Sequence, residues 1–326
     1  MVDVVCLRPK EDFLSVGVLP PAELSIAYRA PSDEDVRALL QSARALVLPS
    51  AGSQLDDSLF DLATDLKLIQ FTGVGWDRIA EATLRKCACF VSNVPGVNAI
   101  DVAEYVIIAA GTLLRKFKLG DELMRNGQYG DARLALAAEN VRGFRGLTIG
   151  VVGLGHIGLT VGKLFRMLGA KVGYYDPQPR YANEASEAGM VTMSLDELLA
   201  ASDVLTVHVP LIPATRGLIG PVELELLKPG AIVIQASRGG VVDEDSLVRR
   251  LTDGALGGVA LDVFSTEPLA ADAPLLTAAQ SLQGRLLLTP HIAGVTQQAA
   301  ANLYTEAWAN VIRVLLQQNE PLHQLL

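Results

Sequence analysis

Cysteine is scarce in this chain, and its scarcity excludes a whole class of fold. Cys6, Cys87 and Cys89 are the three present, an odd number without framework spacing, so no disulfide scaffold is expected and a reducing compartment is. Cys87 and Cys89 form a C-x-C ahead of an apolar run, with no second Cys or His pair to complete four zinc ligands. Packing is therefore their expected role, and no metal site is expected. Lys and Arg total 27 against 36 Asp and Glu, a formal net charge of −9 with pI near 5.0. No basic cluster offsets that balance, which disfavours nucleic acid and anionic membrane surfaces as partners. Long hydrophobic runs are missing too. The longest, VAEYVIIAAGTLL from Val102, carries Glu104 and is too short to span a bilayer, so it reads as a buried helix. The opening MVDVVCLRPK lacks a basic segment followed by an apolar stretch, so no signal peptide is expected and the cytoplasm is the expected location. Internal repeats and low-complexity segments are also lacking.

What is present is a long alternation of apolar runs and helix-like stretches. With 326 residues, half of them hydrophobic, the chain can fill two cores. VDVVCL, SIAYRA, ALVLPS, LKLIQFTG and ACFVSN form a first series of expected strands. LTIGVVG, KVGYYD, DVLTVHVP, AIVIQAS, GGVALDVF and RLLLTPH form a second. Continuous apolar strands separated by helices indicate parallel sheets covered on both faces, so the fold class is α/β with two doubly wound parallel-sheet domains. Between the two series, the stretch from Asn98 reads as one long connecting helix with Asp101 and Glu104 in its first turn. The final amphipathic helix, from Thr296, is expected to return to the first domain. The expected division is 1–100 with 295–326 for one domain and 101–294 for the other, and the cleft of such a double crossing is a common ligand location.

Gly153, Gly155 and Gly158 follow an apolar strand and open a helix, and Asp176 ends the next strand. A tight turn needs the first glycine, a pyrophosphate lying on the backbone needs the second, and close helix–strand packing needs the third. The helix N-terminus then offers free N–H groups to phosphates. A carboxylate at Asp176 can accept both ribose hydroxyls and would repel a 2′-phosphate, so NAD is the expected cofactor in preference to NADP.

Three further residues lie just beyond expected strand ends, where open α/β sheets present ligands. Arg238 follows AIVIQAS and precedes Gly239 and Gly240; its planar fork suits a carboxylate. His291 follows RLLLTP, with only Ile292, Ala293 and Gly294 directly after it. Glu267, in FSTEP, can hold one ring nitrogen of His291 and favour the imidazolium, leaving the other nitrogen to give or take a proton near neutral pH. Acid/base chemistry on a carbonyl or hydroxyl follows.

GVGWDRI (73–79), NVPGVNAIDVAEYV (93–106), GLGHIG (153–158), VHVPLIPATRGLI (207–219), ASRGGVVDEDSL (236–247), ALDVFSTEP (260–268) and TPHIAG (289–294) together resemble the D-isomer-specific 2-hydroxyacid dehydrogenases over nearly the whole chain. The resemblance implies a discontinuous flavodoxin-like substrate domain and an inserted Rossmann NAD-binding domain. It implies hydride transfer between nicotinamide C4 and C2 of a small 2-keto or 2-hydroxy acid, with His291 as general acid/base, Glu267 its support, and Arg238 on the substrate carboxylate and carbonyl. Val74 and Gly75 are then expected to cradle the carboxylate through backbone N–H groups, with Trp76 beside them. Trp76 either narrows the pocket or packs under its loop. The cofactor positions implied are Gly153, Gly155, His156, Ile157, Gly158, Asp176, His208, Val209, Pro210, Ala236, Ser237, Arg238, Asp262, His291 and Gly294, with Asp262 near the nicotinamide carboxamide. A homodimer joined through the cofactor domains, around 121–145, is implied as well. Phosphoglycerate dehydrogenases usually carry an arginine after the strand matching ALVLPS. Pro49 and Ser50 stand there, which argues against a phosphorylated substrate unless a basic residue elsewhere replaces it. Glu267 argues against formate oxidation. An NAD-sensing protein resembling transcriptional corepressors is the alternative from another class, and the lack of disordered extensions and of a basic surface run ranks it lower.

Overall fold

Apolar runs rich in Val, Ile and Leu form the strands, and the side-chain period of two divides each run between opposite faces of its sheet. The computed structural model describes residues 2–139, 141–282 and 284–325. The chain divides into two compact units, residues 1–98 with 295–326, and residues 99–294.

The first unit holds strands β1 (Val4–Cys6), β2 (Ile26–Tyr28), β3 (Ala45–Leu48), β4 (Leu68–Phe71) and β5 (Phe90–Ser92), all parallel, in the order β2-β1-β3-β4-β5. This is the flavodoxin-like order, with its reversal between β1 and β3. Val4, Cys6, Ala45, Val47 and Leu68 pack on one face with Phe13, Tyr304 and Trp308. Val5, Leu46, Leu48, Ile69 and Phe71 pack on the other. The helix Gln297–Leu315, capped by the Thr296 hydroxyl accepting from the Ala299 N–H, supplies much of the first layer. It belongs to the first unit.

The second unit holds β6 (Thr148–Val152), β7 (Lys171–Tyr175), β8 (Val191–Thr192), β9 (Val204–Val207), β10 (Ala231–Gln235), β11 (Leu256–Leu261) and β12 (Leu286–Leu288). Their order is β12-β11-β10-β9-β6-β7-β8, again all parallel. This is the Rossmann order with one added strand, its reversal between β6 and β9. The two-residue β8 escaped the sequence because it is exposed at the sheet edge and has no apolar run to mark it. The connecting helix also differs from expectation. It ends at Leu114, Lys116 turns into the left-handed region at φ 53°, and separate helices Phe117–Arg125 and Tyr129–Ala138 follow. Apolar spacing continues through the break, and a single left-handed residue that is not glycine leaves no mark in that spacing. The first of these helices, Ala99–Leu114, buries Val102, Ala103, Val106, Ala109, Ala110 and Leu113 on the sheet. The helix Phe117–Arg125 buries nothing.

Candidate active site

The glycine loop lies at the carboxyl end of β6, beside the point where strand order reverses. Gly153 has φ 94°, and a Cβ there would come within 2.6 Å of the His208 carbonyl. Gly158 packs so closely that a Cβ would stand 2.0 Å from the Gly153 carbonyl. Gly155 is different, since a Cβ added there meets nothing within 4 Å. The protein itself does not require glycine at that position, but a pyrophosphate lying on the backbone would. Gly155 also precedes the helix His156–Met167, whose N-terminus has no side-chain cap. Its free N–H groups and positive dipole end suit the same phosphates. The residues present therefore fit a dinucleotide.

Asp176 directly follows β7, its carboxylate oriented by two backbone donors, Leu154 N–H to Oδ2 at 2.7 Å and Gln178 N–H to Oδ1 at 2.8 Å. Each oxygen keeps a lone pair for a ribose hydroxyl. His156 lends Nε2 to the Tyr181 hydroxyl at 2.6 Å, and Ile157 is partly buried beside the unit's core. After β9, Val209 covers Gly153, while Pro210 is exposed. The His208 ring is held by Thr206 Oγ1 at 2.8 Å from Nε2, with Nδ1 buried and unpartnered. Burial pushes its pKa down to about 3, so it stays neutral.

Arg238, Glu267 and His291 follow the carboxyl ends of β10, β11 and β12, three hydrogen-bonded neighbours in one sheet. Gln235, buried at the end of β10, shapes the first turn. Its Oε1 accepts from the Ser237 N–H and hydroxyl at 3.2 and 2.9 Å, and its Nε2 donates to the Arg238 carbonyl at 3.0 Å. Ala236 packs against the core at the start of this turn. Gly239 lets the turn touch the next loop, since a Cβ there would collide with the Phe264 carbonyl at 1.9 Å. Glu267 Oε2 lies 2.8 Å from His291 Nδ1, and Oε1 accepts from the Phe264 N–H at 3.0 Å. Burial disfavours the Glu267 carboxylate, but these two hydrogen bonds and the charges of His291 and Arg238 outweigh it, leaving its pKa below the usual carboxylate value. An ionised Glu267 accepts the proton on Nδ1 and so leaves Nε2 as the exchanging nitrogen. Among the described residues none bonds Nε2.

His291 sits in the left-handed region at φ 54°, a conformation that non-glycine residues adopt only when held. Asp262 holds it. The Asp262 carbonyl accepts from the His291 N–H at 2.8 Å, Oδ1 accepts from Thr289 Oγ1 and the Ile292 N–H, and Oδ2 from the Ala293 N–H. Tyr105 extends the chain of bonds to Thr289 at 2.6 Å, and Gly294 follows in the same turn. The sequence reading missed Gln235, Thr289, Tyr105 and this anchoring by Asp262. For Gln235 a signal existed, a polar residue closing an otherwise apolar strand.

In the first unit, Val74, Gly75 and Trp76 form the loop after β4. Asn93 Nδ2, from the end of β5, donates to the Val74 carbonyl at 2.6 Å. Asn93 was also missed. Trp76 is partly buried and packs on the core of this unit. Cys87 and Cys89 pack on the same core as free thiols. Among the described residues no His/Cys/Asp/Glu group suits a metal, and no helix is long and apolar enough to cross a membrane.

A dinucleotide-binding sheet that also presents an arginine and a carboxylate-held histidine belongs to the class of nicotinamide-dependent oxidoreductases. The family model described as D-isomer specific 2-hydroxyacid dehydrogenase, NAD binding domain, matches residues 107–293. The glyoxylate reductase of Thermofilum pendens is 33% identical over 291 residues, covering 89% of this chain and 84% of its own length. The D-3-phosphoglycerate dehydrogenase of Archaeoglobus fulgidus is 36% identical over 251 residues, 77% of this chain, but the match spans only 46% of that longer protein. The crystal structure of D-lactate dehydrogenase from Aquifex aeolicus complexed with NAD and lactic acid matches with a TM-score of 0.81 at 27% identity, covering 97% of this chain and 98% of the other. The chain belongs to the D-isomer-specific 2-hydroxyacid dehydrogenase family, and NAD is its cofactor.

Proposed function

We propose that this chain interconverts a small 2-hydroxy acid and its 2-keto acid, with residues 99–294 holding NAD and residues 1–98 with 295–326 forming the substrate domain. The observation that carries the reading is the 2.8 Å pair of Glu267 and His291 at the ends of adjacent strands, beside Arg238, in the unit that carries the glycine loop. NAD, when bound, supplies or accepts the hydride. Gly153, Gly155, Gly158 and the N–H groups at His156 and Ile157 hold its phosphates, and Asp176 takes its ribose. Arg238 and the backbone N–H groups of Val74 and Gly75 hold the substrate carboxylate. In reduction His291 Nε2 gives its proton to the carbonyl oxygen while Arg238 stabilises the negative charge developing there. Glu267 keeps the ring oriented and favours its protonated form. Asp262 acts through the backbone of residues 289–293 and fixes where the ring stands.

NADH consumption against glyoxylate, hydroxypyruvate, pyruvate, phenylpyruvate and 3-phosphohydroxypyruvate tests this reading. Turnover that His291→Ala lowers by about 100-fold or more, with NADH affinity kept, is the expected outcome. Unchanged turnover in that variant would remove His291 from the mechanism.

Three free thiols suit a reducing cytoplasm. Homodimerisation through the NAD-binding unit is supported by the apolar surface around 117–141, where Phe117, Met124, Tyr129, Leu134 and Val141 are exposed. Leu134→Glu should shift the protein toward monomer in light scattering.

A further inference from the structure

At the carboxyl end of the first unit's sheet, polar side chains are buried without the partners that burial demands. Arg78 is only 5% exposed. Its Nε donates to the Ser53 carbonyl at 2.8 Å and one terminal nitrogen to the Pro49 carbonyl at 3.3 Å. Both acceptors are neutral, and among the described residues no carboxylate forms an ion pair with it. Burial and then the positive charge of Arg8 lower its pKa, against the pull of exposed Asp77. A buried cation beside another cation is costly unless an anion joins them.

Arg8, just past β1, bonds Asp12 and the Tyr304 hydroxyl through one terminal nitrogen, yet its Nε is buried with no partner. Ser50 Oγ, just past β3, and Thr72 Oγ1, just past β4, are buried and unpartnered as well. These groups surround the reversal between β1 and β3, where a flavodoxin-like sheet binds its ligand. Ser50 Oγ would lie 2.8 Å from a Cβ at Gly73, which places it against the residue preceding Val74. Arg78 restores the positive charge that residues 49–53 themselves lack, its Cζ 3.4 Å from where a Gly52 Cβ would stand.

We infer that this edge of the sheet binds a second oxyanion at the far end of the substrate, with Arg78 as its ionic partner and the hydroxyls of Ser50 and Thr72 as donors. The inference rests on the reading that Val74 and Gly75 take the first carboxylate. The substrate class is then a 2-keto acid whose chain ends in another acidic group. A guanidinium meets a planar carboxylate through two parallel hydrogen bonds.

The test compares kcat/KM for length-matched pairs, oxaloacetate with 2-oxobutanoate and 2-oxoglutarate with 2-oxopentanoate. 3-Phosphohydroxypyruvate against hydroxypyruvate distinguishes a phosphate from a carboxylate. The protein should favour at least one dianion by about tenfold or more, because the neutral analogue leaves buried donors unpaired. Arg78→Met should collapse that ratio, and Arg78→Lys should keep part of it. A ratio of one or less for every pair, or a ratio that survives Arg78→Met, overturns the inference. Should Arg78→Met fail to fold, the native ratio and Arg78→Lys decide: an unchanged ratio in the lysine variant overturns the inference. If no keto acid is reduced, the proposed reaction fails on its own. The subsite is then read by thermal shift with succinate against butyrate, where a selective rise in Tm that Arg78→Lys weakens supports it and no selective rise overturns it.

Discussion

Replacing Glu267 by Gln removes a charge from the histidine pair while keeping nearly the same shape. An amide in that place still accepts one hydrogen bond, so the loss falls on the charge-assisted part of the 2.8 Å contact with His291 Nδ1. Hydrogen bonds to charged groups contribute about 1.5–3 kcal/mol. The two side chains are 28% and 27% exposed, so solvent screening places the loss toward the lower end of that range. A loss of about 1.5 kcal/mol is roughly tenfold in kcat/KM for reduction. The sign is set by charge: without the carboxylate, the ring that gives the proton loses its counter-ion, so reduction slows. Stopped-flow and steady-state reduction, with NADH affinity read by fluorescence to show that the cofactor still binds, measures the loss. A kcat/KM within twofold of the parent would refute the assignment of Glu267 to His291.

Gly155→Val should weaken NADH binding by about tenfold or more with little change in Tm, since its Cβ direction is open. Gly158→Ala should instead lower Tm by several degrees, because its Cβ collides with the Gly153 carbonyl; parallel NADH titration and thermal melts separate the two. Asp176→Ala should lower the preference for NADH over NADPH by about tenfold or more in kcat/KM, and an unchanged preference would remove it from cofactor selection. His208 should make folding stability depend on acid. Its folded pKa of about 3 lies below the ordinary 6.5, so the unfolded chain binds the extra proton between these values. Its contribution is complete above pH 6.5 and falls as pH drops, by about 2 kcal/mol at pH 5. Urea melts should show part of this slope vanish in His208→Gln.

The sequence by itself determined the two series of parallel strands, the glycine loop with Asp176, and the placement of Arg238, Glu267 and His291 just past neighbouring strand ends. Each is a local pattern: apolar runs that alternate between sheet faces, glycines at fixed spacing, and polar residues just past strand ends. Glu267 and His291 are 24 positions apart, yet they could be paired from sequence because neighbouring parallel strands bring their carboxyl ends to one place. Other features depend on contacts between residues far apart in the chain, or on the conformation of a single residue. The break at Lys116 is one left-handed residue inside an unbroken apolar period. The strained backbone of His291 is held by Asp262, Thr289 and Tyr105, and nothing local in TPHIAG announces that support. Arg78 lies within the motif GVGWDRI, and only the tertiary structure buries it beside Arg8 at the reversal of the first sheet. Burial and the pairing of charges are properties of the assembled sheet, because they depend on which strand ends become neighbours.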